Sequence, residues 1–382
     1  MKIAVDIRPL SYPGTGNATY LYHILKEVLH ISKNYDWKWL FLSNKGIHPI
    51  YLDLLSENIE LSIESSLFSF NRIGPVWLHK NVPKILQKYK PDLFWSTLFL
   101  LPFNFKKRLN IPNILNIHDL SAWIAPETMK LWNQKYLRLF TLNSLLNADE
   151  ILCLSETTKD LILTIFKDSK EISQKNLHVV YPGIIEPPQE RKKPLLMPVE
   201  NEFFLSVGTL EPRKNFETII HAYIAAKKEN TYLPPLIIAG KPGWQMNETL
   251  INLSKNQFKT NNIFFIDSPS NEELFWLYEN CSLFLFPSIY EGFGLPILEA
   301  AIFKKPQVLS NIEIFKEIGQ YLDGITFIEN PKNITLWKDA ILFFSNERNL
   351  ESYNKKIKNK KLKVFDYKNS AKNIIKIIQK YN

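Results

Sequence analysis

The sequence predicts an α/β protein made of two doubly wound parallel-sheet domains, and three observations carry that reading. Short apolar runs of strand length alternate with longer stretches of helical apolar spacing along most of the chain. A proline- and charge-rich break interrupts the alternation near the middle. In both halves, glycine-bearing loops stand where a strand run gives way to a helical pattern, the place where open α/β sheets bind ligands. At 382 residues the chain exceeds one ordinary core and suits two.

The first half opens on the strand Ile3-Ala4-Val5, followed by a loop from Pro9 to Gly16 and a helix from Thr19 to about Ile31. Gly14 and Gly16 lie just ahead of that helix, but a third glycine and a later ribose-binding acid are not in place, so the full dinucleotide fingerprint is absent. A tight turn and a phosphate site are both open at this loop. Further strands are expected at Trp39–Leu42, Leu93–Trp95, Asn113–Ile117 and Glu150–Leu154, with helices at Val76–Tyr89 and Trp132–Leu146. The strand at 113–117 ends in His118-Asp119, at the ligand-binding end of its sheet.

Residues 182–198 contain Pro182, Gly183, Pro187, Pro188, Pro194 and Pro198 with the charged run 190–193. They place a first domain at 1–185, a linker at 186–200 and a second domain at 201–364. In the second domain, strands are expected at 203–208, Leu236–Ala239, Ile263–Ile266 and Leu283–Phe286, and a closing helix has apolar spacing from Ala371 to Gln379.

Composition narrows the function classes. Hydrophobic residues make up 45% and charged residues 22% of the chain, as in folded soluble proteins. No apolar run of spanning length occurs, and the N-terminal run is interrupted by Asp6 and Arg8, unlike a signal peptide. The two cysteines, Cys153 and Cys281, sit in or beside apolar runs and read as buried thiols rather than a disulfide framework or zinc site. A cytoplasmic protein is expected. The net charge of +9 points to phosphate-bearing partners, but no nucleic-acid motif accompanies it. The dense run Lys355–Lys363 reads as a solvated helix face.

The most informative segment is 287–300, Pro-Ser-Ile-Tyr-Glu-Gly-Phe-Gly-Leu-Pro-Ile-Leu-Glu-Ala. It follows a strand, turns through Gly292 and Gly294, and starts a helix in which Pro296 suits the first turn. A helix start presents unpaired amides and a positive dipole end, which attract phosphate. Glu291 and Glu299 bracket that start with seven residues between them. A second pair, Arg213 and Lys214, follows the strand ending at Gly208-Thr209. Adjacent Arg and Lys suit a diphosphate, one as a planar fork and the other as a point charge. Because a helix start disfavours cations, an external anion would account for them. These parts match glycosyl transfer, in which charge growing on a leaving nucleoside diphosphate must be stabilised by fixed cations and dipoles.

On these motifs the sequence resembles the retaining family-four glycosyltransferases. Glu291 and Glu299 match their Glu-x7-Glu element, Val207–Asn215 their Val-Gly-Thr-Leu-Glu-Pro-Arg-Lys-Asn element, and Gly240–Trp244 their Gly-Lys-x-Gly-Trp element. His118-Asp119, Ser155-Glu156-Thr157-Thr158 and Phe365-Asp366-Tyr367…Ala371 match further, less specific elements, the last with Tyr in place of Trp. The resemblance implies the GT-B architecture of two facing Rossmann-like domains, with the C-terminal helix, 365–382, returning to the first. It implies that Arg213, Lys214 and the amides of Gly294 and Leu295, beside Gly208 and Phe293, bind the donor diphosphate. Glu299 would hold the ribose and Glu291 the donor sugar, with His118 approaching that sugar and Gly16 admitting the phosphates. It implies no resident cofactor and no metal, and front-face attack with retention.

The sequence departs from the family pattern in ways that bear on specificity. Asn17-Ala18 replace the usual Arg-Tyr after the first-loop glycine, 303–306 replace a small residue and glycine before Pro, and Asp267 with Pro269 alter the loop beside the nucleobase. The wording of residues 210–215 resembles bacterial enzymes that add mannose to surface polysaccharide, which favours GDP-mannose over UDP- or dTDP-sugars. The implied acceptor is a saccharide, lipid-linked at the inner face of the membrane. A stretch with Trp77, His79, Lys80, Lys84 and Lys88 suits peripheral contact with anionic lipid, although Trp77 and Leu86 packed inward with lysines in water is the favoured reading. A non-catalytic nucleotide-sugar-binding subunit, a glycan phosphorylase and an epimerase share the architecture and remain open.

Overall fold

The structure, a computed structural model, describes every residue except 64–73, 196, 198–201, 244 and 359–360. Trp244, Pro198, part of the expected linker and the middle of the Lys355–Lys363 run therefore lie outside the described residues. The chain divides into two compact units, Met1–Gly183 with Phe365–Asn382, and Ile184–Val364.

The first unit holds a parallel sheet of strands β1 (Lys2–Asp6), β2 (Lys38–Ser43), β3 (Ile59–Ile63), β4 (Leu93–Ser96), β5 (Asn113–Ile117), β6 (Glu150–Cys153) and β7 (Asn176–Val179) in the order β3-β2-β1-β4-β5-β6-β7. The second unit holds β8 (Phe204–Val207), β9 (Leu236–Gly240), β10 (Ile263–Asp267), β11 (Leu283–Phe286), β12 (Gln307–Ser310) and β13 (Ile325–Ile328) in the order β10-β9-β8-β11-β12-β13. In both sheets the chain order reverses beside the first strand, creating a crevice at β1/β4 and another at β8/β11. The central strands are buried on both faces and read as unbroken apolar runs, which is why they were legible in the sequence.

The strands that pattern alone missed are β3, β7, β12 and β13. Three of them are sheet edges, where half-burial lets polar residues such as Glu60, Asn176 and His178 into the run. Helices occupy the expected places: Gly16–Ser32, Leu131–Asn147, Phe216–Glu229 and Tyr367–Gln379. The stretch 74–89 is helical with a π turn at Trp77–Asn81. Trp77 and Leu86 pack inward, and the Arg8 guanidinium lies 5.2 Å from the Trp77 ring, so this tryptophan does not face a lipid surface. Among the described residues of the Lys355–Lys363 run there is no α-helix, only the start of a 3-10 turn at Leu362–Val364, where a helix face was expected. The helix Glu347–Asn354 stops before it, as closely spaced like charges would oppose its continuation. Both cysteines are buried and free.

The C-terminal helix belongs to the first unit, where it packs on Gly16–Ser32. Gly183 makes the close approach possible, since a Cβ there would overlap the Tyr367 backbone nitrogen. Beyond the helix, the buried Glu150 carboxylate accepts from Lys380 at 2.9 Å, the Tyr381 hydroxyl at 3.1 Å and His178 at 2.5 Å. Burial alone would raise the Glu150 pKa, but Lys380 and His178 outweigh it and hold the carboxyl below its ordinary range. A depressed carboxylate stabilises the fold above its unfolded pKa, and that contribution is lost as pH falls through the folded one. Glu150→Gln is therefore expected to cost about 2 kcal/mol in urea unfolding at pH 7 and to flatten the loss of stability below about pH 4. An unchanged acid limb would remove this clamp from the account.

Candidate active site

The sequence-predicted residues of the second unit converge on the β8/β11 crevice. The loop after β8 contains Gly208 and the turn Pro212–Lys214; the loop after β11 contains 287–294. Ile289 N–H donates to the Arg213 carbonyl at 2.9 Å. The Asn215 amide donates to the Pro287 carbonyl at 3.0 Å and the Pro331 carbonyl at 2.7 Å. Asn215 sits at φ 57°, a left-handed position that Asn tolerates better than most residues. The carbonyl of Gly208 lies against Gly240 at the end of β9, where any Cβ would overlap it. Gly294, at φ 113°, ends the second loop and caps the helix Leu295–Ile302, with Pro296 in its first turn.

The centre of the site is a buried ion network. One Glu291 oxygen accepts from Arg213 Nη1 at 2.5 Å; the other accepts from Lys214 Nζ at 2.5 Å and from Ser288 Oγ at 2.8 Å. Arg213 also pairs with Glu211 at 2.7 Å and donates to the Tyr290 carbonyl at 3.1 Å. Lys214 Nζ stands 4.9 Å from the Phe286 ring. Lys214, Glu211 and Glu291 are buried, while the Arg213 side chain is 25% exposed. The chain's own carboxylates thus partner both cations, where the sequence alone pointed to an external anion. Glu211 and Ser288 lie within the quoted motifs but were given no role; only the packing of the two loops brings them to the cations.

The two motif glutamates titrate in opposite senses. Burial would raise the Glu291 pKa, but Arg213 and Lys214 overcome it and hold the carboxyl at about 2. Glu299, half-buried on the helix, has its pKa raised by burial, with Tyr278 and Lys214 only partly offsetting this. Burial also raises Glu211 against the pull of Arg213 and lowers Lys214 against that of Glu291. Glu291 is consequently ionised at any working pH and stabilises the fold down to about pH 2. Glu299 binds its proton more tightly when folded, so it costs stability as pH rises above its ordinary value of 4.5. Phe293 is buried beneath the loop, and Leu295 begins the helix whose first turn faces the crevice end of the strands.

His118 and Gly16 lie in the first unit, at the strand ends and the loop after β1. His118 is buried, and its Nε2 is 2.7 Å from the Thr97 carbonyl, so Nε2 carries the proton and donates. Tyr20 and Phe99 flank its ring at 5.4 and 5.2 Å. Burial lowers its pKa, leaving a neutral imidazole at neutral pH. Gly16 starts its helix, and a Cβ there would meet open space, so packing does not demand glycine. Thr15 and Asn17 on either side of it line a cavity of about 300 Å³ with Arg8, Tyr12, Asn44 and Leu98. Arg8 grips the fully buried Asp6 through Nε and Nη2, the shortest contact being 2.6 Å. Arg8 was not foreseen as part of a site; its only signal was a charge directly after the first strand. Among the described residues no group of three or more acidic, His or Cys side chains is arranged to hold a metal ion.

Comparison with known proteins agrees with this geometry. Residues 188–363 match the profile described as Glycosyl transferases group 1, and residues 52–185 match Glycosyltransferase Family 4. The chain is 27% identical over 333 residues to O-antigen chain mannosyltransferase B of Escherichia coli, covering 83% of this chain and 84% of that protein. It is 28% identical over 263 residues to O-antigen chain mannosyltransferase RfbU of Salmonella typhimurium, covering 65% and 67%. Among solved structures, sucrose-phosphate synthase from Thermosynechococcus elongatus has the same fold, with a TM-score of 0.72 at 14% identity over 100% of this chain and 98% of that one. With its two parallel-sheet units and the two profiles together spanning most of its length, the chain belongs to the group 1 and family 4 glycosyltransferases of the GT-B fold.

Proposed function

We propose that the protein is a retaining mannosyltransferase that moves mannose from GDP-mannose to a saccharide acceptor, carried on a lipid, in surface polysaccharide synthesis. The Arg213–Lys214–Glu291 network at the β8/β11 crevice carries the reading. Arg213 and Lys214, with the helix-start amides of Gly294 and Leu295, are positioned to stabilise the charge that grows on a departing diphosphate. Glu291, ionised and held on both oxygens, has no proton to give and little freedom to act as a nucleophile. It suits a hydrogen-bond acceptor for a sugar hydroxyl. Front-face attack follows: the acceptor oxygen bonds to the anomeric carbon as the carbon–phosphate oxygen bond breaks, and the acceptor's proton passes to the leaving phosphate. Glu299 holds the ribose hydroxyls. His118 contributes a neutral, fixed imidazole to the donor sugar, and Gly16 leaves room for phosphate to approach the first loop. The donor is a substrate, and the chain's own cations serve where other enzymes use a divalent ion. The mannose assignment is supported by the two O-antigen mannosyltransferase relatives.

Arg213→Ala is expected to lower kcat by roughly 100- to 1000-fold and, because it removes the cation paired with buried Glu211, to lower stability as well, so kcat is compared on protein whose circular dichroism matches wild type. Donor hydrolysis and transfer assays at wild-type rates would end the diphosphate assignment. Glu299→Gln should raise the donor KM with a smaller effect on kcat and remove the decline in stability above pH 4.5; a pure kcat effect would place Glu299 at the chemistry instead. In a thermal-shift panel of GDP, UDP, dTDP and ADP, GDP is expected to give the largest rise in Tm. A larger shift with UDP would overturn the choice of base, and null donor turnover in both wild type and Glu291→Gln would make the chain a binding subunit.

A further inference from the structure

The chemistry of the β8/β11 crevice makes no use of the lysine-rich run after Asn354. Residues 352–364 carry six lysines and no Asp or Glu, and the α-helix before the run ends at Asn354. Four of the six, Lys355, Lys356, Lys358 and Lys361, line a cavity of about 530 Å³ with the turn that contains Tyr321 and Asp323. Small-molecule sites span roughly 300–1,000 Å³, so the space suits a ligand of that size. Two contacts hold its walls together. Ile357, in the middle of the lysines, is buried and packs so closely on Gly324 that a Cβ there would stand 2.5 Å from its side chain. The Asp323 carboxylate accepts from the Lys358 backbone N–H at 3.0 Å.

The cavity gathers four ammonium groups against one carboxylate. Lys355 has an exposed partner in Glu351 at 3.7 Å, a contact that contributes little. Among the described residues, no carboxylate pairs with the ammonium of Lys356, Lys358 or Lys361. Like charges around one concavity repel each other, and an entering anion would relieve that repulsion. Lysines are compact point charges without the planar fork of arginine, which suits several phosphate oxygens better than one carboxylate. Tyr321 is half-buried and Leu322 buried, so the apolar lining offers a lipid leaflet nothing to insert. The place in the fold also separates this cavity from the Glu291 network. Strand β12 ends at Ser310, the helix Glu313–Gly319 carries the chain back, and the turn at 320–324 leads into β13. The Gln307 N–H, at the start of β12, donates to the Gly324 carbonyl at 2.9 Å. The turn therefore stands at the entry ends of the parallel strands, whereas Arg213, Lys214 and Glu291 lie beyond the exit ends.

We propose that this cavity is a second anion site, which binds a soluble di- or triphosphate, free or borne on a nucleoside, independently of the crevice. The test is calorimetric titration of the full chain with inorganic tripolyphosphate at constant ionic strength. Binding is expected in wild type and in Arg213→Ala whose circular dichroism matches it. Lys356→Gln combined with Lys358→Gln and Lys361→Gln should weaken binding by at least about tenfold, with circular dichroism and donor hydrolysis at wild-type levels. On the unaltered chain, tripolyphosphate should protect these three lysines from acetylation, read residue by residue by mass spectrometry. Protection by GTP at lower concentrations than by tripolyphosphate supports a nucleotide as the source, and the reverse order supports a free polyphosphate. Absence of binding to wild type, or equal binding by the lysine variant, would overturn the proposal. So would loss of all binding in Arg213→Ala, equal protection by sulfate, or flotation with anionic vesicles without tripolyphosphate binding. Donor hydrolysis, measured on the same proteins, bears on the transfer reaction alone, so the two readings fail separately.

Discussion

The buried carboxylate of Glu291 is the constraint on which the second unit's site depends. Two adjacent cations at the entrance to a helix, one of them buried, are unfavourable unless anions face them. Glu291 meets both, and Glu211 adds a second partner to Arg213. Because Glu291 comes from the loop after β11 and the cations from the loop after β8, satisfying the charges also fixes the two loops against each other. The backbone bond from Ile289 and the side chain of Asn215 continue the same seam. Glycines at 208, 240 and 294 supply the close approach and the turn this seam requires.

Once that network exists, the two motif glutamates cannot be equivalent. Glu291 is surrounded by positive donors that overwhelm its burial, whereas Glu299 is governed mainly by burial itself. A carboxylate held ionised by two cations and a carboxyl whose pKa burial raises thus stand eight positions apart. The first unit shows the other solution to polar groups at strand ends. Burial keeps His118 neutral while its Nε2 donates to a backbone carbonyl, and Asp6 stays buried by pairing with Arg8. Each switch point is thus settled by local partners before any substrate arrives.

Charge is distributed at a second level, away from the crevice. The lysine-rich run that follows Asn354, conspicuous in the sequence, starts where the helix Glu347–Asn354 ends, and its described residues show one short 3-10 turn, Leu362–Val364. Four of its lysines line one cavity with the turn before β13 instead of sharing one side of a helix.

The sequence by itself determined the two parallel-sheet units, the central strands, most of the helices and the chemistry-bearing motifs. Fully buried strands must be apolar throughout, and tight turns need glycine or proline at fixed places. The edge strands β3 and β7 escaped because half-burial removes that requirement. Which charges meet was decided only in three dimensions. Arg213 and Lys214 read as cations awaiting an outside anion, since the one carboxylate that meets both of them, Glu291, lies nearly eighty residues away. The C-terminal clamp on Glu150 and the lysine-lined cavity were hidden for the same reason: composition reports how many charges and apolar groups a chain has, but only packing decides which of them face each other and which are left facing water.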